Sequence, residues 1–277
     1  MNSICVITGG GSGMGYEAAK LLGKQHKIIL VGRTVEKLES AIEALKAEGI
    51  DAEAYPGDAS DRESISALAK YAASLGEVKA VLHAAGVSPH MTDAEKIFTI
   101  NAVGTINVNE EFGEVMKGGC ILNVASMAGY MLPLEQVPTQ LYEASAAGVE
   151  AFLGGAKQML GMVPEEKQTG AAYTISKNFV QWYSRREAVK LGKKGIRVVS
   201  ISPGTFSTPM GELEGEQANK LALMGALGRV GDPVEIAKMM NFILSDNCSY
   251  MTGVDVLYDG GVIAALEVTK AQQAPQE

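Results

Sequence analysis

Only three cysteines and three histidines occur in 277 residues, and that scarcity removes several kinds of chemistry. Cys5, Cys120 and Cys248 do not combine with His26, His83 or His90 at any metal-ligand spacing, so no metal site is expected. Two of the cysteines lie in apolar, strand-like runs, where free thiols act as small hydrophobes. Membrane signals are missing too: no apolar run reaches about 18 residues, and no basic leader precedes the first apolar strand. A cytoplasmic protein without a membrane partner is expected. Basic residues are in the minority, 24 against 32 acidic, giving a net charge of −8 and a pI near 5.1. Such a surface repels phosphate backbones, which excludes nucleic acid as a partner. No GxSxG hydrolase elbow occurs, because around Ser12 the last place is Met14. The sequon Asn247, Cys248, Ser249 has no secretory context and reads as chance.

What remains, 47% hydrophobic and 20% charged, is the composition of an ordinary folded globule. Strand-like segments at 3–8, 27–32, 51–56, 78–84, 119–125, 196–202 and 254–258 alternate with helix-like ones at 13–24, 34–48, 61–74, 92–117, 170–192 and 232–245. The alternation predicts an α/β protein: one doubly wound parallel sheet of about seven strands, in a single domain without linker or repeat. Runs such as Ile28 to Val31 are continuously apolar, as strands buried on both faces must be. Residues 132–169 are too long for a plain connection, and their apolar pattern predicts one or two helices forming a lid or an interface element. Residues 205–227 read as a mobile substrate lid, and the polar stretch 267–277, rich in alanine and glutamine, as a disordered tail.

The first strand ends at Thr8, and Gly9, Gly10, Gly11, Ser12, Gly13, Met14 and Gly15 turn the chain into a helix. Glycines there let backbone N–H groups approach a pyrophosphate, which then sits at the positive end of the helix, as in a Rossmann fold. At the end of the second strand, a carboxylate would read the ribose of NAD, whereas a 2′-phosphate needs that acid absent and a cation nearby. Gly32 occupies the place of the acid and Arg33 supplies a guanidinium, so NADP(H) is the preferred cofactor, with NAD(H) possible. Asp58, followed by Ala59, can accept from the adenine amine or cap the next helix.

Tyr173 and Lys177 are four residues apart, one helical turn, so phenol and ammonium share a helix face. Bringing a tyrosine from about 10 to near neutrality takes about 4 kcal/mol of preferential stabilisation of phenolate, which a neighbouring lysine can help supply. Ser126 ends the fifth strand at the carboxyl edge of the sheet, where its hydroxyl can hold a substrate oxygen.

On these residues the chain resembles the short-chain dehydrogenase/reductase family, the subtype with TGxxxGxG and YxxxK, over about residues 3–262. The resemblance places the pyrophosphate turn on Thr8, Gly9, Gly13 and Gly15, and a further segment on His83, Ala84, Ala85 and Gly86. It places the catalytic tetrad on Asn101, Ser126, Tyr173 and Lys177, and the nicotinamide side on Pro203, Gly204 and Thr208. It implies that Tyr173 is the acid/base, that Lys177 binds the nicotinamide ribose and lowers the tyrosine pKa, that Ser126 steadies the substrate, and that Asn101 holds a proton-relay water. It further implies a homo-oligomer, dimer or tetramer.

Two features depart from the family pattern. His83 stands where asparagine is usual, and is expected to be a satisfied structural histidine. The 47 positions from Ser126 to Tyr173 exceed the usual spacing, and the excess resembles the extra segment of the bacterial 3α-hydroxysteroid dehydrogenase/carbonyl reductase branch, near substrate and in altered subunit contacts. Met127, Met131, Met159, Met162, Met210 and Met224 lie in segments expected around the pocket mouth, suiting a bulky apolar alcohol or ketone such as a steroid. Ser126, Met127, Met131, Tyr173, Thr205 and Met210 form the expected substrate wall. The alternatives are reduction of small ketones or 3-oxoacyl thioesters, and a nucleotide-binding regulator without catalysis.

Overall fold

Residues 3–273 are described by a computed structural model of the chain. Seven strands alternate with helices: Ser3–Thr8 (β1), Lys27–Gly32 (β2), Ala52–Pro56 (β3), Glu77–His83 (β4), Gly119–Val124 (β5), Ile196–Pro203 (β6) and Asp255–Tyr258 (β7). All pair in parallel, in the order β3-β2-β1-β4-β5-β6-β7. The order reverses between β1 and β4, and the crevice there, at the carboxyl ends of the strands, is where such sheets bind ligands.

Helices cover both faces of the sheet. They are Gly13–Leu22 (α1), Val35–Ala47 (α2), Arg62–Leu75 (α3), Ala94–Phe98 (α4), Gly104–Val115 (α5), Thr139–Ala144 (α6), Val149–Leu160 (α7), Glu165–Leu191 (α8), Pro209–Met224 (α9), Pro233–Leu244 (α10) and Val262–Gln273 (α11). In α2 the buried residues Leu38, Ala41, Ile42 and Leu45 follow the i, i+3, i+4, i+7 spacing that turns one stripe to the sheet. Pro233 opens α10 behind a reciprocal cap in which the Asp232 carboxylate accepts from the helix and Glu235 accepts from the Asp232 N–H. The three cysteines are buried and free. Burial pushes the Cys5 and Cys120 thiols up, Cys120 to about 12, which makes them packing groups.

Several sequence expectations change here. The helix expected at 92–117 is α4 and α5 joined by a π-helical turn, Thr99–Val103, which carries Asn101. The segment 205–227 is largely helical, with α9 broken at Gly215, where φ is 67° and ψ −153°. Residues 267–273 continue α11 instead of forming a disordered tail, since alanine, glutamine and lysine are good helix formers even on an exposed face; 274–277 lie outside the described residues. The expected catalytic helix starts five residues early, at Glu165 behind Pro164.

The stretch 132–169 does supply helices, α6, α7 and the start of α8, but they do not form a lid. None of its described residues lines the two spaces described below. It instead covers one side of α8 with an aromatic cluster. The Phe152 ring lies 4.6 Å from that of Phe179 and 5.2 Å from that of Phe98, with Tyr142 edge-on to Phe179 at 5.3 Å. Phe152→Ala removes a ring with no solvent exposure and should cost about 3–5 kcal/mol, lowering Tm by about 6–15 °C. A melt within about 2 °C of wild type would show that the inserted helices do not brace α8.

Candidate functional site

The glycine turn after β1 leaves no room for side chains. Gly9 has φ 70°, and a Cβ there would stand 2.7 Å from the Ala85 nitrogen; one on Gly15 would stand 2.7 Å from the Gly9 carbonyl oxygen. Ser12 makes no side-chain cap on α1, unlike Asp61 on α3 and Asp232 on α10. The first-turn N–H groups of α1 therefore keep their capacity for an anionic ligand. A dinucleotide phosphate fits this cradle.

The cleft above it has a volume of about 330 Å³ and is lined by Thr8, Gly9, Gly11, Ser12, Gly13, Met14 and Gly15. Arg33, Asp58, Ala59, Ala85, Gly86 and Thr208 also line it, so the residues expected at the nucleotide converge. Gly32 ends β2 within the cleft without a carboxylate, and α2 opens beside it with no side-chain cap. Lys37 joins Arg33 as a second cation and was missed, although it lies one turn along the helix that Arg33 introduces. Asp58 does not cap α3; Asp61 does, and one Asp58 oxygen accepts from the Ser60 N–H and hydroxyl.

A second space, of about 410 Å³, is lined by Ser126, Met127, Met131, Tyr173 and Lys177, with Pro203, Gly204, Thr205, Thr208 and Met210. Pro203 and Gly204 thus lie here and not in the first cleft. Met14, Gly86, Val87, Val124, Thr208 and Met210 line both spaces, which are two ends of one groove. Of the other methionines expected at the mouth, Met159 packs with the aromatic cluster, while Met162 and Met224 are 76% and 59% exposed away from the groove.

The candidate catalytic group is organised from α8. Lys177 is buried, and its ammonium donates to the Val124 carbonyl at 2.9 Å. Gly86 separates it from Asn101: a Cβ on Gly86 would stand 3.3 Å from Lys177 Nζ and 3.1 Å from Asn101 Oδ1. Asn101 uses its side chain to hold this segment, with Oδ1 accepting from the Val87 N–H at 2.9 Å and Nδ2 donating to the Val87 carbonyl and to Ser176 Oγ. Ser126 Oγ accepts from the Ala128 N–H. Sequence reasoning missed Gln181, one turn beyond Lys177, which donates to the Ser126 carbonyl and to Ser202 Oγ, and Asn178, which donates to the Gly129 carbonyl. The i+4 spacing that joins Tyr173 to Lys177 also reaches Gln181 and was the available signal.

His83 is satisfied only in part. Thr8 Oγ1 accepts from the Ala85 N–H and shares a hydrogen bond of 2.8 Å with His83 Nδ1, whose direction follows the imidazole tautomer, while His83 Nε2 finds no partner among the described residues. Burial, aided by the charge of Lys177, lowers the imidazole pKa to about 3, so it stays neutral.

Electrostatics corrects one expectation. Burial pushes the Tyr173 hydroxyl up to about 12; Glu214 adds to the rise, and the neighbouring Ser126 hydroxyl opposes it. Lys177 does not by itself bring the phenol down: its ammonium is held by Val124, 5.9 Å from the centre of the tyrosine ring. Burial lowers Lys177 itself from 10.5 to about 8, against an opposing effect of Glu214. Between these two values the unfolded chain binds more protons than the folded one, so stability rises with pH across that window. The Tyr173 shift acts only above its ordinary value of 10.0. Lys177→Met should therefore melt above wild type near neutral pH and lose that advantage as pH approaches 10, in melts run at both ends of the range. A difference independent of pH would contradict this.

The short chain dehydrogenase family profile matches residues 3–163, and a second, described as enoyl-(acyl carrier protein) reductase, matches 158–263. The short-chain dehydrogenase/reductase bsc3 of Alternaria brassicicola is 32% identical over 273 residues, covering 95% of this chain and 97% of that protein. The cyclohexanol dehydrogenase of Acinetobacter sp. (strain SE19) is 28% identical over 272 residues, covering 94% of each. The 3-alpha-(or 20-beta)-hydroxysteroid dehydrogenase of Mycobacterium bovis is 29% identical over 242 residues, covering 82% of this chain and 85% of that protein. Likeness along almost the whole length, added to a phosphate cradle that runs into a Ser–Tyr–Lys cavity, gives the chain its family: it belongs to the short-chain dehydrogenase/reductases, oxidoreductases that use NAD(P) nucleotides.

Proposed function

We propose that the protein transfers hydride between NADP(H) and a secondary alcohol or ketone on a bulky apolar framework, of which a hydroxysteroid is the leading candidate. The observation that carries this reading is the single groove in which the glycine cradle and Arg33 occupy one end and Ser126, Tyr173 and Lys177 the other. The nucleotide, when bound, supplies or accepts the hydride at its nicotinamide ring.

Each side chain has a role around that transfer. In reduction, Tyr173 donates its hydroxyl proton to the carbonyl oxygen while the Ser126 hydroxyl holds the same oxygen. Lys177 binds the nicotinamide ribose, and its charge favours phenolate once the proton has left. Asn101 keeps the Gly86–Val87 segment in register with Lys177, with both amide hydrogens committed and one acceptor site of Oδ1 left for a relay water. Thr8 through Gly15 take the pyrophosphate, and Arg33 with Lys37 the 2′-phosphate. Asp58, Ala59 and Ala85 take the adenosine, and Pro203, Gly204 and Thr208 the nicotinamide.

The methionines of the substrate wall, Met127, Met131 and Met210, are apolar and adaptable, Thr205 beside them spends its hydroxyl on the Ala218 carbonyl, and relatives named for cyclohexanol and hydroxysteroids support a secondary alcohol as the reacting group. Among the described residues no helix is long and apolar enough to cross a membrane, and the proposed setting is the cytoplasm, as a homo-oligomer. Nucleotide absorbance followed against steroids, bile acids, cyclic ketones and 3-oxoacyl thioesters, with NADPH and NADH, tests the reading. Turnover should be fastest with a polycyclic ketone and NADPH. A preference for acyl thioesters or small ketones would overturn the substrate class, and no turnover with any carbonyl would overturn the activity.

A further inference from the structure

Glu214 plays no part in the hydride transfer outlined above, yet it stands in the same cavity as Ser126, Tyr173 and Lys177. It is carried by α9 immediately before the break at Gly215, and its side chain is half-buried. Among the described residues it makes no hydrogen bond or ion pair. Burial raises its pKa, while His90 and Lys177 pull it down, and its own charge raises those of Tyr173 and Lys177, so it is close enough to sense the catalytic groups. Much of the wall around it is Met127, Met131, Met210, Phe206 and Leu221. An unpaired carboxylate in apolar surroundings carries a desolvation cost that a bound donor group would offset.

We propose that Glu214 is a specificity residue that accepts a hydrogen bond from a second polar group of the substrate, a hydroxyl or an ammonium on a carbon other than the reacting one. Preferred substrates are therefore ketones or alcohols bearing a further donor, and substrates bearing a carboxylate at that position are rejected by like charge. The proposal rests on the dehydrogenase reading, and it narrows the apolar substrate class to frameworks with one more donating group.

The test uses four ketones on one framework, bearing at the remote position hydrogen, hydroxyl, ammonium or carboxylate. Wild type, Glu214→Gln and Glu214→Ala are compared in kcat/KM with NADPH and, by calorimetry, in ligand binding to the enzyme–NADP⁺ complex. Wild type should favour the ammonium and hydroxyl compounds over the unsubstituted one by about tenfold or more, and the carboxylate should rank last. Glu214→Gln should keep the hydroxyl preference, lose that for ammonium and admit the carboxylate; Glu214→Ala should lose both preferences. The same ranking in all three proteins, or a uniform loss across the four ketones, would overturn the proposal. Absence of turnover in wild type would sink the dehydrogenase reading alone, because the binding series still ranks the four ligands.

Discussion

Tyr173→Phe will lower turnover by about 10²–10⁴-fold while leaving nucleotide affinity within about twofold of wild type. The variant keeps the ring and the helix and removes only the hydroxyl, whose lost contacts are with Ser126 and the substrate oxygen. Nothing in the glycine cradle or at Arg33 touches that hydroxyl, and the two ends of the groove are separable in this way. The structure also shows why the hydroxyl needs help: burial and Glu214 together hold its pKa near 12, so as it stands the group is a reluctant proton donor. A full positive charge on Lys177 is the group available to favour phenolate, and Lys177→Met should approach the loss seen with Tyr173→Phe. Steady-state rates and nucleotide titration by fluorescence read both effects. More than a few per cent of residual turnover in Tyr173→Phe would remove the proton-transfer role from this residue.

Arg33→Ala will weaken NADPH binding by about 10–100-fold and NADH binding by less than about threefold, the effect of losing a charge-assisted contact to the 2′-phosphate. Arg33 follows directly on β2 and is exposed at the wall of the cleft, with Lys37 on the same wall. Lys37→Ala should show the same selectivity with a smaller loss. The converse change is Gly32→Asp. A Cβ there would meet Leu38 at an ordinary 3.4 Å, so the carboxylate can be accommodated, where it would accept from a free ribose and repel a phosphate. That variant should turn the preference towards NADH. Equal losses for both nucleotides in Arg33→Ala would take away the basis of the cofactor assignment.

How much of this was legible beforehand depended on whether the signal was local. The buried strands announce themselves as short apolar runs, and each of the seven falls within about two residues of its expected bounds. The glycine turn and the Tyr173/Lys177 spacing are local geometry, and both reach the groove as expected. What stayed hidden depended on tertiary partners. The π-turn at Asn101 arises where the side chain bonds to Val87 and Ser176, 14 and 75 residues away, and no periodicity reports such contacts. The inserted segment betrays its helices through Phe152 and Leu153, but whether their apolar face meets α8 or covers the substrate is decided by Phe179 on the other side. Asp58 offers a cap in sequence, but its carboxylate is taken up by Ser60, and Asp61 caps α3 instead. The polarity of 267–273 suggests disorder in sequence, although the same residues favour helix. Glu214 was overlooked because an isolated glutamate in a polar stretch gives no hint that the chain will fold it towards Tyr173 and Lys177.

Label transfer puts the central claim to the most direct trial. NADPH carrying deuterium at the reactive face of its nicotinamide ring is incubated with the best ketone from the panel, and the product alcohol is analysed by NMR. The account predicts one deuterium on the carbinol carbon, delivered stereospecifically, with that product all but absent from Tyr173→Phe. A carbinol carbon that takes its hydrogen from solvent, or an unchanged yield of labelled alcohol from Tyr173→Phe, would contradict it.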